Sequence, residues 1–184
     1  MEQGSPVSAA GSTSQSQQAR DACQGIKAKA EVKDDRMEVQ TSRFGVIEIA
    51  EDRVITFTKG LLGFPAMCRY CLLQPGDDAL FFWLQSLDDP DLAFVITDPT
   101  MFYPEYNVPI RAEQMEALSL DKLEDAQVFV IVNKVEQQLT GNLQGPLVVN
   151  TIDRTGEQLV LADKRWTTRQ PLMKVGQAAQ AASA

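Results

Sequence analysis

Hydrophobic and polar positions alternate along most of the chain between Arg43 and Asp163, with the period of two that side chains adopt on a β-strand. In RFGVIEI, Ile47 and Ile49 fall on one side and Val46 and Glu48 on the other. RVITFTKG follows after Ala50-Glu51-Asp52, which predicts a hairpin between the two runs. Gly60 and Gly63 frame a turn in GLLGFP, and YCLLQPGDD reads as a strand stopped by Pro75-Gly76. LFFWLQSL sets Phe81 and Trp83 against Leu80, Phe82 and Leu84. Apolar residues on both faces mark a strand covered on both sides, or one built into a small barrel. LAFVITDP repeats the pattern, and Asp88-Asp89-Pro90-Asp91 between them predicts a tight hairpin turn: Pro90 presets φ and the aspartates accept from nearby backbone N–H groups.

The pattern then changes. MFYPEYNVPI carries three aromatics, and Pro104 and Pro109 exclude a central strand, so an extended edge or surface loop is expected. Exposed, Phe102, Tyr103 and Tyr106 are candidates for binding; the plainer alternative is that they cap one end of the core. RAEQMEALSL is the one good helix, expected over 112–120 with Met115 and Leu118 on its apolar side. QVFVIVNKV is a β-branched core strand. LTGNLQGPLVVNT places a loop around 141–146 and a strand from Leu147, and Asp153-Arg154-Thr155-Gly156 is a turn before EQLVLAD. About eight short strands joined by tight turns pair antiparallel, and closing such a sheet removes its edges. The expected fold class is mainly β: a small antiparallel β-barrel-like domain with one short helix.

Composition sets the boundaries. The chain has 184 residues, and its first stretch, 1–36, is rich in Ser, Gln, Ala and Lys, with only Val7 and Ile26 as large aliphatics before Val32 and no aromatic. Such a segment buries too little apolar surface to offset its ordering entropy, so a disordered or loosely ordered tail is expected. The barrel domain is assigned to 37–172 and a flexible C-terminal tail to 173–184. The N-terminus has no apolar h-region, and no run approaches the ~20 apolar residues of a membrane span, so a cytoplasmic protein away from membranes is expected, and nothing demands more than a monomer.

The chain has three cysteines and no histidine. Cys68-Arg69-Tyr70-Cys71 has CxxC spacing, but a zinc site wants further ligands and a redox pair wants a helix start, so no metal is expected. Lack of histidine removes Ser-His-Asp and Cys-His nucleophile systems. No GxGxxG or GxxxxGK[ST] appears, and no cofactor is expected. Carboxylate pairs are the remaining catalytic possibility, but Asp88, Asp89 and Asp91 read as a hairpin tip, not a cleft floor, and no catalytic residue is assigned.

Charge points elsewhere. The formal net charge is −8, and the tail, with five basic and five acidic residues, is neutral. Between Arg69 and Arg111 there is no Lys or Arg, while Asp77, Asp78, Asp88, Asp89, Asp91, Asp98 and Glu105 all lie there. A surface of that sign repels phosphate backbones, which argues against direct nucleic-acid binding, and it draws basic proteins. Solvated loops are the bland alternative.

FGVIEI, KGLLGF, LFFWLQSLDDPDLAFVITDP, GNLQGPLVVNT and TTRQPL, in this order over about 43–172, resemble the successive motifs of the flagellar assembly factor FliW family. Lys59 and Leu62 stand where the family usually has Glu and Pro, Gln144-Gly145 precedes Pro146, and Gln170 stands where a histidine is usual. The resemblance implies a non-enzymatic, barrel-like binding protein that holds flagellin in the cytoplasm. It further implies that, once flagellin is exported, the protein binds CsrA, the repressor of flagellin mRNA translation, and makes it release the message. On that reading Asp88, Asp89, Asp91 and Asp98 steer CsrA, and Phe102, Tyr103 and Tyr106 receive the amphipathic ends of flagellin. Asn142 joins the candidates because the family motif centres on it, although Asn142, Asn150 and Arg169 also suit structural roles. A carboxylate-based enzyme with a small ligand in the barrel, or a purely structural adaptor, is the alternative.

Overall fold

The computed structural model describes residues 36–77 and 79–176. The N-terminal tail expected over 1–36 lies outside the described residues except for Arg36, as do 177–184. The strands are β1 (Arg36–Thr41), β2 (Gly45–Ala50), β3 (Val54–Phe57), β4 (Arg69–Leu73), β5 (Phe82–Ser86), β6 (Ala93–Thr97), β7 (Ala126–Val135), β8 (Gln138–Gly141), β9 (Leu147–Asn150), β10 (Thr155–Gln158) and β11 (Gln170–Lys174). The helix α1 (Ala112–Ala117) lies between β6 and β7.

Strands β3 to β7 form an antiparallel meander. Residues 126–129 of β7 also pair with β9, β9 pairs with β10, and β10 runs parallel to β3. Seven strands thus close into a barrel with one parallel seam. The last residues of β7 instead pair with β8, and β8 with β11, a two-strand extension of the sheet. Strand β11 continues to Lys174, past the expected boundary at Leu172.

The hairpin expected across Ala50-Glu51-Asp52 does not form. A 3-10 turn at Glu51–Arg53 redirects the chain, so β2 pairs with β1 and β3 pairs with β4. Paired residues share a face of a sheet, so the register sorts the side chains. Ile55 with Tyr70, Leu72 with Leu84 and Phe94, Phe82 with Ile96 and Ile131, and Phe129 with Leu147 point into the barrel. On the outer face, Cys71 is covered by Val39 and Ile49 of the β1–β2 hairpin. Elsewhere outside, Val130 and Val148 are covered by Tyr106, Val108, Leu118 and Leu120 together with Leu159 to Trp166. The barrel therefore carries two outer layers, each sealing an apolar face that the sequence left on both sides of a strand.

Helix α1 is six residues long, shorter than expected, and its end has a specific cause. Ser119 takes φ +53, the left-handed conformation that stops a helix. The Leu120 N–H then reaches the Met115 carbonyl at 2.8 Å and the Ser119 N–H the Glu116 carbonyl at 3.0 Å. This double closure packs Leu120 beside Met115 in the outer core.

Candidate partner-binding surface

The acidic turn between β5 and β6 is a heavily tied structure. Asp88 Oδ2 accepts from the backbone N–H groups of Cys68 and Arg69, both at 2.8 Å, and Oδ1 accepts from Arg69 Nε at 2.9 Å. Partial burial pushes the Asp88 carboxyl up, but these donors and the guanidinium charge outweigh it and hold the group below the usual carboxylate range. Asp89 Oδ1 accepts from the Asp91 N–H at 2.9 Å. Beneath the turn, the fully buried Gln85 donates from Nε2 to the carbonyls of Ser86 and Leu92, each at 3.0 Å. The tip of the β1–β2 hairpin docks on the same turn: Ser42 N–H donates to the Pro90 carbonyl at 3.0 Å and Ser42 Oγ to Asp91. Arg43 of that tip lies over Trp83, 4.5 Å from the ring centroid.

Two of the seven acids read as an unopposed field are therefore engaged within the fold. Arg69 pairs with Asp88, and Asp98 is a buried cap, 5% exposed, whose Oδ1 accepts from Thr100 N at 2.8 Å and Thr100 Oγ1 at 2.6 Å. The expected steering role for Asp98 is corrected on that ground: its carboxylate does not reach the surface. Asp91 is exposed and Asp89 half-buried, both hydrogen-bonded but without an ion pair among the described residues. Asp78 lies outside the described residues.

The aromatic run 102–106 also divides. Tyr106 is 5% exposed, donates its hydroxyl to the Leu143 carbonyl at 2.7 Å and packs edge-on against Trp166. Its burial corrects its assignment to a surface strip; it caps the core. Tyr103 is half-buried, packs edge-on against the same Trp166 ring and donates to the Pro171 carbonyl of β11. Phe102 stands apart, stacked on Phe81 at 6.1 Å. The three rings do not form one exposed strip.

Asn142 is half-buried, and its Oδ1 accepts from the Gly145 N–H at 2.9 Å, closing the turn into β9. Asn150 is buried and donates to the carbonyls of Leu118 and Ser119 while accepting from Ile152 and Asp153. The cysteine pair is split by environment. Cys71 is buried in the outer core, and desolvation pushes its thiol up to about 11, away from thiolate chemistry. No cluster of three or more potential ligand side chains suited to a metal occurs among the described residues.

One further surface lies outside the sequence candidates. The turn at 60–67 and strand β10 line an open cavity of about 240 Å³, with Lys59 and Glu157 paired at its wall at 2.7 Å. The available signal was the absence of any charged or hydrogen-bonding side chain from Gly60 to Met67.

The model of the family described as FliW protein matches residues 38–172, which take in the whole barrel and most of its outer layers. The chain belongs to the FliW family. It is 40% identical over 138 residues to the flagellar assembly factor FliW of Bdellovibrio bacteriovorus, covering 74% of this chain and 79% of that one. It is 37% identical over 140 residues to that of Magnetococcus marinus, covering 74% and 85%. A solved structure, the crystal structure of the flagellar assembly factor FliW, matches with a TM-score of 0.69 at 31% identity, covering 74% of this chain and 97% of that one. Two departures from the usual FliW motifs have visible partners here. Lys59 forms the ion pair with Glu157, and Gln170 donates to Tyr103 Oη at 3.4 Å. No helix among the described residues is long and apolar enough to cross a membrane.

Proposed function

We propose that this FliW-family protein acts in flagellar assembly by partner switching in the cytoplasm. It holds unassembled flagellin; when flagellin is exported, it binds CsrA and makes CsrA release flagellin mRNA. The observation that carries this reading is the family match across 38–172, which takes in every element of the closed barrel. Physical chemistry supports the two kinds of contact required. An RNA-gripping repressor is basic, and an acidic binder with a net charge of −8 accelerates encounter with it and disfavours RNA beside it. A protein that holds unassembled flagellin needs apolar surface for amphipathic helices, and this barrel leaves Leu62 and Val160 well exposed. Asp89 and Asp91, on a turn anchored at both sides, are suited to steering because their positions are fixed before a partner arrives.

Affinity capture from a mixture of purified flagellin and purified CsrA tests the reading. The protein is expected to retain each partner alone, and added flagellin is expected to displace CsrA. Recovery of neither partner overturns the proposal; recovery of both in one stable complex overturns the switch.

A further inference from the structure

Strands β1 and β2 form a two-stranded sheet of their own, and among the described residues no ladder joins it to the barrel. The hairpin lies on the barrel wall over a small apolar contact: Val39 and Ile49 are buried on Cys71, with Leu73 and Leu87 half-buried beside them. The chain leaves the hairpin through Glu51, Asp52 and Arg53, all exposed, in a 3-10 turn with no side-chain cap. The other outer layer is built differently. Asn150 at the end of β9 donates to the Leu118 and Ser119 carbonyls, Thr155 of β10 donates to the Leu118 carbonyl at 2.6 Å, and the Thr151 N–H reaches the Asp125 carbonyl at 2.9 Å. Local opening free energies follow such differences, from near zero in lightly tied segments to the global value in the core.

The hairpin tip holds its own shape and is fastened to the acidic turn. Thr41 Oγ1 donates to the Gly45 carbonyl at 2.8 Å and accepts from the Phe44 N–H at 3.0 Å, so the tip keeps its form without help from the barrel. Ser42 makes the fastening, its N–H to the Pro90 carbonyl at 3.0 Å and its Oγ to Asp91, while Phe44 packs edge-on against Trp83 at 5.6 Å. Beneath the tip the docked state carries a cost. Gln85 stands opposite Cys71 in register, and its Nε2 shares the Pro90 carbonyl with Ser42, at 3.4 Å. Gln85 is fully buried, and its Oε1 accepts from no described residue. A buried acceptor left unserved costs about 1–3 kcal/mol, and water restores its hydrogen bond once the cover is lifted.

We infer that the β1–β2 hairpin is a clasp that lifts from the barrel as one unit, hinged at Glu51–Arg53 and latched on the acidic turn by Ser42 and Asp91. Lifting uncovers Cys71 and Gln85 and parts Phe44 from Trp83. The latch turns this opening into a switch, because the carboxylate that fastens the hairpin sits on an exposed turn. A cationic group that draws Asp91 away from Ser42 favours the open form by the difference in its affinity for the two states.

Labelling of Cys71 by a small disulfide reagent tests it, in the full chain carrying Cys23→Ser and Cys68→Ser so that one thiol reports, with urea unfolding of the same protein as the reference. The opening that exposes Cys71 is expected to depend less steeply on urea than global unfolding does, the mark of a local unit. Val148→Cys, placed in that chain with Cys71→Ser, puts the thiol at a fully buried position beneath the other layer and is expected to label only through global unfolding. Ser42→Ala is expected to speed Cys71 labelling about three- to tenfold, and Asp91→Ala to do the same. The double variant should label no faster than the faster single one, since both changes remove one latch. A Cys71 opening with the urea slope and free energy of global unfolding overturns the clasp. Labelling at the parent rate in both single variants, or additive effects in the double one, overturns the latch.

Discussion

Asp88 illustrates how a residue chosen for its charge is held by its geometry. Its carboxylate accepts three hydrogen bonds from the start of β4, two from backbone N–H groups that the strand ladder does not serve. Asparagine retains one acceptor oxygen but loses the charge and the second acceptor. Asp88→Asn is therefore expected to destabilise the fold by about 1–3 kcal/mol at neutral pH. The sign of its pH dependence follows from the lowered carboxyl. The stabilisation is complete above the ordinary aspartate value of about 3.9 and is lost as pH falls through the lower folded value. Melting curves of wild type and Asp88→Asn should thus lie farthest apart near neutrality and converge in acid; a gap independent of pH contradicts the assignment. Gly156 supplies a second test at this scale. A Cβ there would lie 2.6 Å from Phe57 Cε1 and 2.7 Å from Cζ, and Phe57 is fully buried on the parallel seam. Gly156→Ala should lower stability by about 1–3 kcal/mol in urea unfolding, and an unchanged midpoint would mean that the ring relocates freely.

Among the elements, long apolar runs were legible and short ones were not. Strands β5, β6 and β7 were read close to their observed bounds because each is apolar on both faces, and the closed sheet covers both. Strands β1, β8 and β11 went unread: RMEVQT offers only Met37 and Val39 at the right period, QLTG is four residues, and QPLMK contains Pro171 beside a register shift. β10 starts earlier than its local pattern suggests, because Thr155 and Gly156, turn formers by composition, pair with β3. The site shows the same limit. The turn chemistry of residues 88–91 was visible locally, but the contacts that fix it join Asp88 to Arg69, 19 positions away, and Asp91 to Ser42, 49 positions away. Burial of Asp98 and Tyr106 likewise depends on what folds over them, which no local pattern carries. Asn150 links three elements, the end of α1, β9 and the turn into β10, through four hydrogen bonds. Asn150→Ala should destabilise by roughly 1–3 kcal/mol, since it removes four hydrogen bonds centred on a buried side chain. Hydrogen exchange of the Ile152 and Asp153 amides should accelerate; protection equal to wild type would show that the turn holds itself.

At the level of the whole molecule the question is whether the acidic turn steers a basic partner or is one part of a general field. Steering depends on the summed charge seen from a distance, not on single contacts. Asp89 and Asp91 contribute two of the eight net negative charges, while Glu113, Glu116 and Asp121 around α1 lie exposed as well. Replacing Asp89 and Asp91 together by asparagine removes charge while keeping an acceptor for the Asp91 N–H and for Ser42 Oγ, so the turn should stay folded. Association with CsrA, the partner proposed above, should then slow by about two- to fivefold at low ionic strength, and the difference should vanish once salt shortens the Debye length to a few ångströms. Dissociation should change little, because a rim charge acts on the approach more than on the docked state. Stopped-flow association across a salt series separates the two possibilities: a smaller salt dependence in the double variant assigns steering to this turn, whereas identical slopes and identical rates would leave the turn a solvated hairpin tip and pass the task to the acids around α1.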